Sequence, residues 1–298
     1  MTDKSGAPIF LYSRPCSEAL SPFSAHCSVV YSYAGQPIIV AAALLASHPD
    51  RKVVVIDEGR LVHERRVIGV ISAPLIIGWL LEPHDVWRHF MKMRCSDAAQ
   101  PVAICEPADT LSVILDRLSS EGSEVVLLDC KRDGQVRALD TTTLAMYMGL
   151  KQDFRSLLKS YTCADISPKT TPIYISLENT LRESIHYMVN KGVDRLIVKE
   201  ARSVLSAESI THFLFGSTQN MELLRDEPDR LLELELGELE GFFLQPGLVS
   251  RNDNLETALD RVIGSKARCC LIDGEGMITP RDLTVGLYEK IRSEAWSA

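Results

Sequence analysis

No two cysteines in the chain stand in a Cys-x-x-Cys arrangement. Eight occur, at 16, 27, 95, 105, 130, 163, 269 and 270, and only Cys269 and Cys270 are close. Neighbours rarely bridge, so a disulfide framework is excluded. Scattered cysteines in a chain this size read as buried small hydrophobes in a reducing compartment. Long apolar runs are missing too. The uncharged run Val67 to Leu81 has 15 residues and contains Pro74, too short for a spanning helix, so no membrane partner is expected. Met1 to Cys27 shows no charged stretch followed by an apolar one, so no signal peptide is read and a cytoplasmic location is expected. Positive charge is not in excess. Lys plus Arg is 32, Asp plus Glu is 40, and the net charge of −8 argues against nucleic acid as the main partner. Gly-x-Ser-x-Gly, Walker and Gly-x-Gly-x-x-Gly motifs are absent, and no nucleophile–base pair is suggested, so the chain is not expected to be an enzyme. His84 and His89 are five apart, which is not a usual zinc spacing, so no metal and no cofactor is expected.

What is present is an ordinary globular composition, 46% hydrophobic and 24% charged over 298 residues, enough for about two domains. The acidity is local: Glu222 to Glu240 holds eight acids against Arg225 and Arg230. Within this region Leu232, Leu236 and Leu239 fit a helix face, whereas Leu232, Leu234 and Leu236 fit a strand. A solvated element between repeats is the expected reading.

The chain also repeats itself. Asp109-Thr110-Leu111, Asn179-Thr180-Leu181 and Asp253-Asn254-Leu255 each open a run with apolar residues at helical spacing. The leading Asp or Asn suits an N-cap. Each run is followed by a buried-strand pattern: Val125 to Leu128, Arg195 to Val198, and Cys269 to Ile272. Turn residues come next, clearest at Asp133-Gly134 and at Asp273 to Gly276, then a second short strand, a polar residue and another helix. Pro37 to Ala46, Val53 to Ile56 and Gly69 to Ser72 give a fourth, blurred copy. The helix-opening positions Ile38, Leu111, Leu181 and Leu255 are 73, 70 and 74 apart. The polar closers Ser72, Asp140, Ser206 and Thr279 are 68, 66 and 73 apart. Two landmarks staying in step over four copies define a repeat.

The segment Gly276-Met277-Ile278-Thr279-Pro280-Arg281-Asp282-Leu283 resembles the closing signature of the cystathionine-beta-synthase (CBS) domain, Gly-apolar-apolar-Thr-x-x-Asp-apolar. Four copies in one chain resemble the gamma subunit of AMP-activated protein kinase and comparable four-repeat proteins. The resemblance implies an α/β (α+β) fold of four βαββα repeats forming two pseudo-twofold CBS-pair (Bateman) modules, assembled as a disc. The expected layout is an N-terminal arm (1–27), repeat 1 (28–82), a connector (83–100), repeat 2 (101–150), an inter-module linker (151–170), repeat 3 (171–217), an acidic connector (218–244) and repeat 4 (245–292). Repeats 1 and 2 would share one module, repeats 3 and 4 the other. Gly149 to Thr171 would be a linker. The Pro- and Ser-bearing arm would be extended, supplying the first strand of repeat 1 or lying across its partner.

Members of that family bind AMP, ADP, ATP or sometimes S-adenosylmethionine between paired repeats. The implied role is a regulatory, energy-sensing protein that passes occupancy to a partner such as a kinase or another enzyme. The alternative is a scaffolding protein with degenerate clefts. A homodimer stays open. The chemistry of the motif is direct: a carboxylate can accept two hydrogen bonds from ribose hydroxyls, and a Thr hydroxyl can meet ribose or α-phosphate. Repeat 4 has the complete pair, Thr279 and Asp282, and its cleft with repeat 3 is the expected site. Adenine would lie near Leu248, Val249, Cys270 and Leu271, and phosphate near Arg281 with Arg195 or Lys266. A weaker second site would use Asp140, Thr143 and Ser206. Repeat 3 lacks the carboxylate (Ser206 and Ser209). Repeat 1 has Ser72 and Leu75 and is expected to be dead.

Overall fold

The computed structural model describes residues 10–23, 27–48, 52–57, 66–81, 85–120, 122–130, 135–166, 172–272 and 276–296. The turns expected at Asp133-Gly134 and Asp273 to Glu275, the residue His84, and Ser167-Pro168 lie outside them.

A short helix α1 (Ser17–Leu20) precedes repeat 1. Repeat 1 holds β1 (Val29–Tyr33), α2 (Ile38–Ser47), β2 (Lys52–Ile56), β3 (Val67–Ile71) and α3 (Ala73–Gly78). The segment after it forms α4 (Val86–Lys92) and α5 (Cys95–Ala98). Repeat 2 holds β4 (Ile104–Cys105), α6 (Leu111–Ser120), β5 (Val125–Cys130), β6 (Gln135–Asp140) and α7 (Thr141–Leu150). Helix α8 (Gln152–Lys159) follows. Repeat 3 holds β7 (Tyr174–Ile175), α9 (Leu181–Lys191), β8 (Arg195–Val198), β9 (Ser203–Ser206) and α10 (Ala207–Phe215). Helices α11 (Thr218–Asp226) and α12 (Pro228–Leu232) come next. Repeat 4 holds β10 (Gly247–Val249), α13 (Leu255–Gly264), β11 (Cys270–Ile272), β12 (Gly276–Ile278), a π-helical turn at Asp282–Gly286, and α14 (Leu287–Trp296).

Each repeat thus makes one three-stranded sheet. Its first strand runs parallel to the second, because a helix connects them. The second and third are antiparallel, as a hairpin demands. The four first helices begin at Ile38, Leu111, Leu181 and Leu255, the positions the repeat arithmetic picks out. The caps differ from expectation by one residue. Thr180 and Asn254 accept the helix N–H groups of Glu183 and Thr257. Asp109, Asn179 and Asp253 instead accept from the amide three residues before them, bracing the turn that leads in.

A strap absent from the sequence reading fastens each first helix. Leu111 N donates to Arg14 O and Cys16 N to Asp109 O. The same two-way pairing joins Ile38 and Gln36 to Met93 and Cys95, Leu255 and Asp253 to Tyr161 and Cys163, and Leu181 and Asn179 to Leu234 and Leu236. Each pair satisfies an N–H that a helix start leaves without an intrahelical partner. The strap residue that donates, Cys16, Cys95, Cys163 or Leu236, is buried. That gives three of the eight cysteines one shared packing role. Three straps then pair with the last strand of the same repeat: Ala138 N donates to Cys27 O, Val70 N to Gln100 O, and Val204 N to Leu244 O. Those pairings occupy a sheet edge that would otherwise be open.

The straps bear on two expectations. The leading segment does not supply the first strand of repeat 1, since β1 lies within that repeat. It lies across repeat 2, the second of the two placements expected, with Tyr12, Cys16, Ala19 and Leu20 buried. Likewise, 151–170 is not a bare linker. It carries α8, whose Phe154, Leu157 and Leu158 are buried, and it straps repeat 4. The leading segment and 151–170 are therefore counterparts, and the two halves of the chain share one plan. In the acidic connector Leu232, Leu236 and Leu239 are buried, but not on one helix face: α12 ends at Leu232, Glu235 bridges to Thr180, and a 3-10 helix runs from Leu236 to Phe242, so the segment is a packed strap and not the solvated element expected.

The compact units also divide differently from the expected modules. One unit joins repeats 2 and 4 with the leading segment and α8. Its core includes Leu115, Leu118, Tyr147, Phe154, Leu259 and Leu283. The other joins repeats 1 and 3, with a core through Ala42, Ile77, Ile185 and Leu214. The contacts behind this are between helices: α10 packs on α2 and α3, and α7 on α13. Helices from alternate repeats thus bury apolar residues against each other, which strand order along the chain does not reveal.

Candidate functional site

Repeat 4 carries the complete polar pair. Thr279 follows β12 and stands two residues beyond Met277, so the two side chains share a face of the strand. Thr279 N donates to Asp282 Oδ2 at 2.8 Å and Thr279 Oγ1 donates to the same oxygen at 2.7 Å. Asp282 sits three residues into the following helix, where a carboxylate closes back on the amide that opens it. Burial pushes the Asp282 carboxyl above its ordinary value of 3.8, while the Thr279 hydrogen bonds and the nearby Arg281 charge oppose that rise.

Beside the pair, the sheet presents an apolar row. Leu248 pairs with Leu271, and Leu271 with Met277, across β10, β11 and β12. Leu248 is 71% exposed, and Leu271 and Met277 are half-buried. The neighbouring residues Val249, Cys270, Ile272 and Ile278 alternate to the opposite face and are buried in the core. Of the four apolar residues expected around adenine, the structure therefore places Leu248 and Leu271 on the accessible face. Val249 and Cys270 belong to the core, and burial pushes the Cys270 thiol up to about 12. Met277 is the residue missed by sequence reasoning. Its spacing of two before Thr279 is the signal that would have found it.

The other repeats place different residues on the equivalent row. Tyr31 pairs with Val54 and Val54 with Val70 in repeat 1; Ile104, Leu127 and Ala138 correspond in repeat 2; Tyr174, Ile197 and Val204 in repeat 3. In all three the second and third residues are buried. Repeat 4 alone among the described rows keeps them partly accessible. This register also shifts repeat 1: Val54, not Val55, is the counterpart of Leu127.

Of the cations expected at phosphate, Arg281 is already engaged within the protein. Arg281 Nη1 donates to Ser123 O at 2.7 Å and Nη2 to Leu118 O at 2.9 Å. Its guanidinium is therefore engaged by the C-terminal end of α6, not aimed at a phosphate. Lys266 is exposed on the loop before β11. Arg195 is in the unit of repeats 1 and 3, with Nη1 2.8 Å from Asp194 Oδ2.

The polar closers of repeats 2 and 3 act as helix caps. Asp140 Oδ1 accepts from Thr143 N at 2.8 Å, and Ser206 Oγ accepts from Ser209 N at 3.1 Å. Asp140 and Thr143 are thereby coupled to each other, and Ser206 lies in the other unit, so the three do not form one site within a unit. Ser72 makes no side-chain cap, and Leu75 stands at its carboxylate position. No group of three His, Cys, Asp or Glu residues suited to a metal occurs among the described residues, and no helix there is long and apolar enough to cross a membrane.

No protein-family model matches the sequence, and no curated protein does. Solved structures do match. A protein of Methanocaldococcus jannaschii, proposed as an archaeal homologue of the gamma subunit of AMPK, superposes with a TM-score of 0.70 at 13% identity, over 88% of this chain and 96% of that one. A CBS-domain containing protein of Agrobacterium tumefaciens aligns over 45% of this chain and 93% of its own, at 15% identity and a TM-score of 0.37. Four three-stranded βαββα repeats in two pairs, the last closing on the Thr-x-x-Asp signature, give this chain the fold of a four-repeat CBS-domain protein.

Proposed function

We propose that the chain is a regulatory protein that binds an adenosine-type ligand at repeat 4. The observation that carries this reading is the open apolar row Leu248, Leu271 and Met277 ending beside Thr279 and Asp282. An adenine ring would lie on the row, and the ribose hydroxyls would meet the Asp282 carboxylate. AMP, ADP, ATP and S-adenosylmethionine share that adenosine group. The fold neighbour's proposed relation to AMPK supports a sensing role in which occupancy is passed to a protein partner. That requires the ligand to bind two states of the chain unequally. The chemistry read from the site is binding, not catalysis.

A panel of AMP, ADP, ATP and S-adenosylmethionine in thermal-shift and titration measurements tests the reading, since a ligand of the native state raises its stability by mass action. At least one should bind below millimolar concentration. If none does, the scaffolding reading replaces it. That second reading is favoured by one observation: in repeats 2 and 3 the motif positions act as helix caps.

A further inference from the structure

The arginine of the repeat 4 signature, Thr279-Pro280-Arg281-Asp282, spans from one repeat to another. Its two terminal nitrogens reach Ser123 O and Leu118 O of repeat 2, on either side of Gly122, whose φ of +63° turns the chain after α6. Carbonyls at a helix end lack intrahelical donors and carry the negative end of its dipole, so a guanidinium there is held by charge and by a two-pronged geometry. Further polar contacts join α6 to α14, the helix into which the signature turn runs. Ser119 Oγ donates to Glu289 Oε1 at 2.5 Å, and Arg292 Nη1 donates to Asp116 Oδ1 at 2.6 Å. Between these contacts lies the π-helical turn Asp282–Gly286, an irregular stretch that regular i to i+4 hydrogen bonding does not hold. The aligned positions in the other repeats, Pro74, Thr142 and Glu208, cannot make an equivalent guanidinium contact.

We propose that Arg281 is a positioning residue for the repeat 4 site: it fixes the Thr279–Asp282 turn against the C-terminal end of α6 and does not read the ligand's phosphate. This rests on the adenosine-ligand reading for its binding consequence, but the tie itself is independent of any ligand. The site in repeat 4 is then supported by repeat 2, and a change at the end of α6 alters the ribose-binding turn. A phosphate-binding arginine would favour AMP over adenosine. A positioning arginine favours both alike.

The experiment compares wild type, Arg281→Ala and Arg281→Lys in two ways. Amide hydrogen exchange of the ligand-free proteins is followed over 279–287 and 118–123. Adenosine and AMP are titrated into each protein. Arg281→Ala should speed exchange in both segments at least several-fold and weaken adenosine and AMP by the same factor. Arg281→Lys, with one ammonium in place of the fork, should recover only part of each loss. Unchanged exchange in Arg281→Ala overturns the tie. A loss confined to AMP overturns the assignment and restores a phosphate contact. If wild type binds neither ligand, the adenosine reading fails, and the exchange result still decides the tie.

Discussion

Both polar hydrogens of Thr279, on its amide and its hydroxyl, are directed to a single carboxylate oxygen, Asp282 Oδ2, at 2.8 and 2.7 Å. The pair holds the turn that follows the last strand of repeat 4. Asp282 therefore serves folding and, on the proposed reading, binding together, and its variants should separate the two.

Asp282→Ala removes charge-assisted hydrogen bonds worth roughly 1.5–3 kcal/mol each, so affinity for an adenosine ligand should fall by at least about tenfold. Leu75→Ala, at the aligned position of repeat 1, should leave the affinity unchanged. Isothermal titration with AMP and ATP measures both. Equal binding by Asp282→Ala and wild type would remove Asp282 from the site.

Stability should depend on pH through the same carboxyl. Its folded value is raised by burial above 3.8. A raised acid contributes stability that is present below 3.8 and is lost as pH rises through the folded value. The side-chain amide introduced by Asp282→Asn does not titrate. The melting temperature of that variant minus that of wild type should therefore climb with pH across this window and then level off. A falling or flat difference curve contradicts the raised value.

Tyr12 gives a contrast within one residue. Its ring is buried, edge-on to Phe154 at 5.4 Å and to Tyr288 at 5.1 Å. Its hydroxyl is buried with no hydrogen-bond partner among the described residues. Tyr12→Phe keeps the ring and removes the unsatisfied group, so it should be neutral or stabilising, by up to about 1–3 kcal/mol. Tyr12→Ala opens a cavity and should cost about 3–5 kcal/mol. Denaturant unfolding of both variants decides whether the leading segment is core or appendage; two neutral substitutions would make it an appendage.

Gly69 tests the strap of repeat 1. A Cβ there would overlap the carbonyl of Gln100, whose oxygen accepts from Val70 N. Because the obstacle is backbone, the strap must move. Gly69→Ala should destabilise by about 1–3 kcal/mol and speed amide exchange at Val70 and Gln100. Protection equal to wild type at those two amides would show that the strap does not close the sheet edge.

The sequence by itself determined the repeat. Ile38, Leu111, Leu181 and Leu255 open helices because apolar residues at helical spacing follow each of them. Asp140 and Ser206 stand at helix N-caps because short polar side chains satisfy free amides. These are local interactions, and local order along the chain records them. The Thr-x-x-Asp pair was legible for the same reason. The straps were not: Arg14-Pro15-Cys16, Arg94-Cys95 and Thr162-Cys163 are too short for any periodicity, and their bonds are made by backbone, which leaves little mark on residue type. Which repeats share a core was decided only in three dimensions, where apolar helix faces of repeats 2 and 4, and of 1 and 3, cover one another. The fate of Arg281 was decided there as well. A guanidinium takes whichever carbonyls or phosphate its surroundings bring within reach, and here the end of α6 brought Leu118 O and Ser123 O.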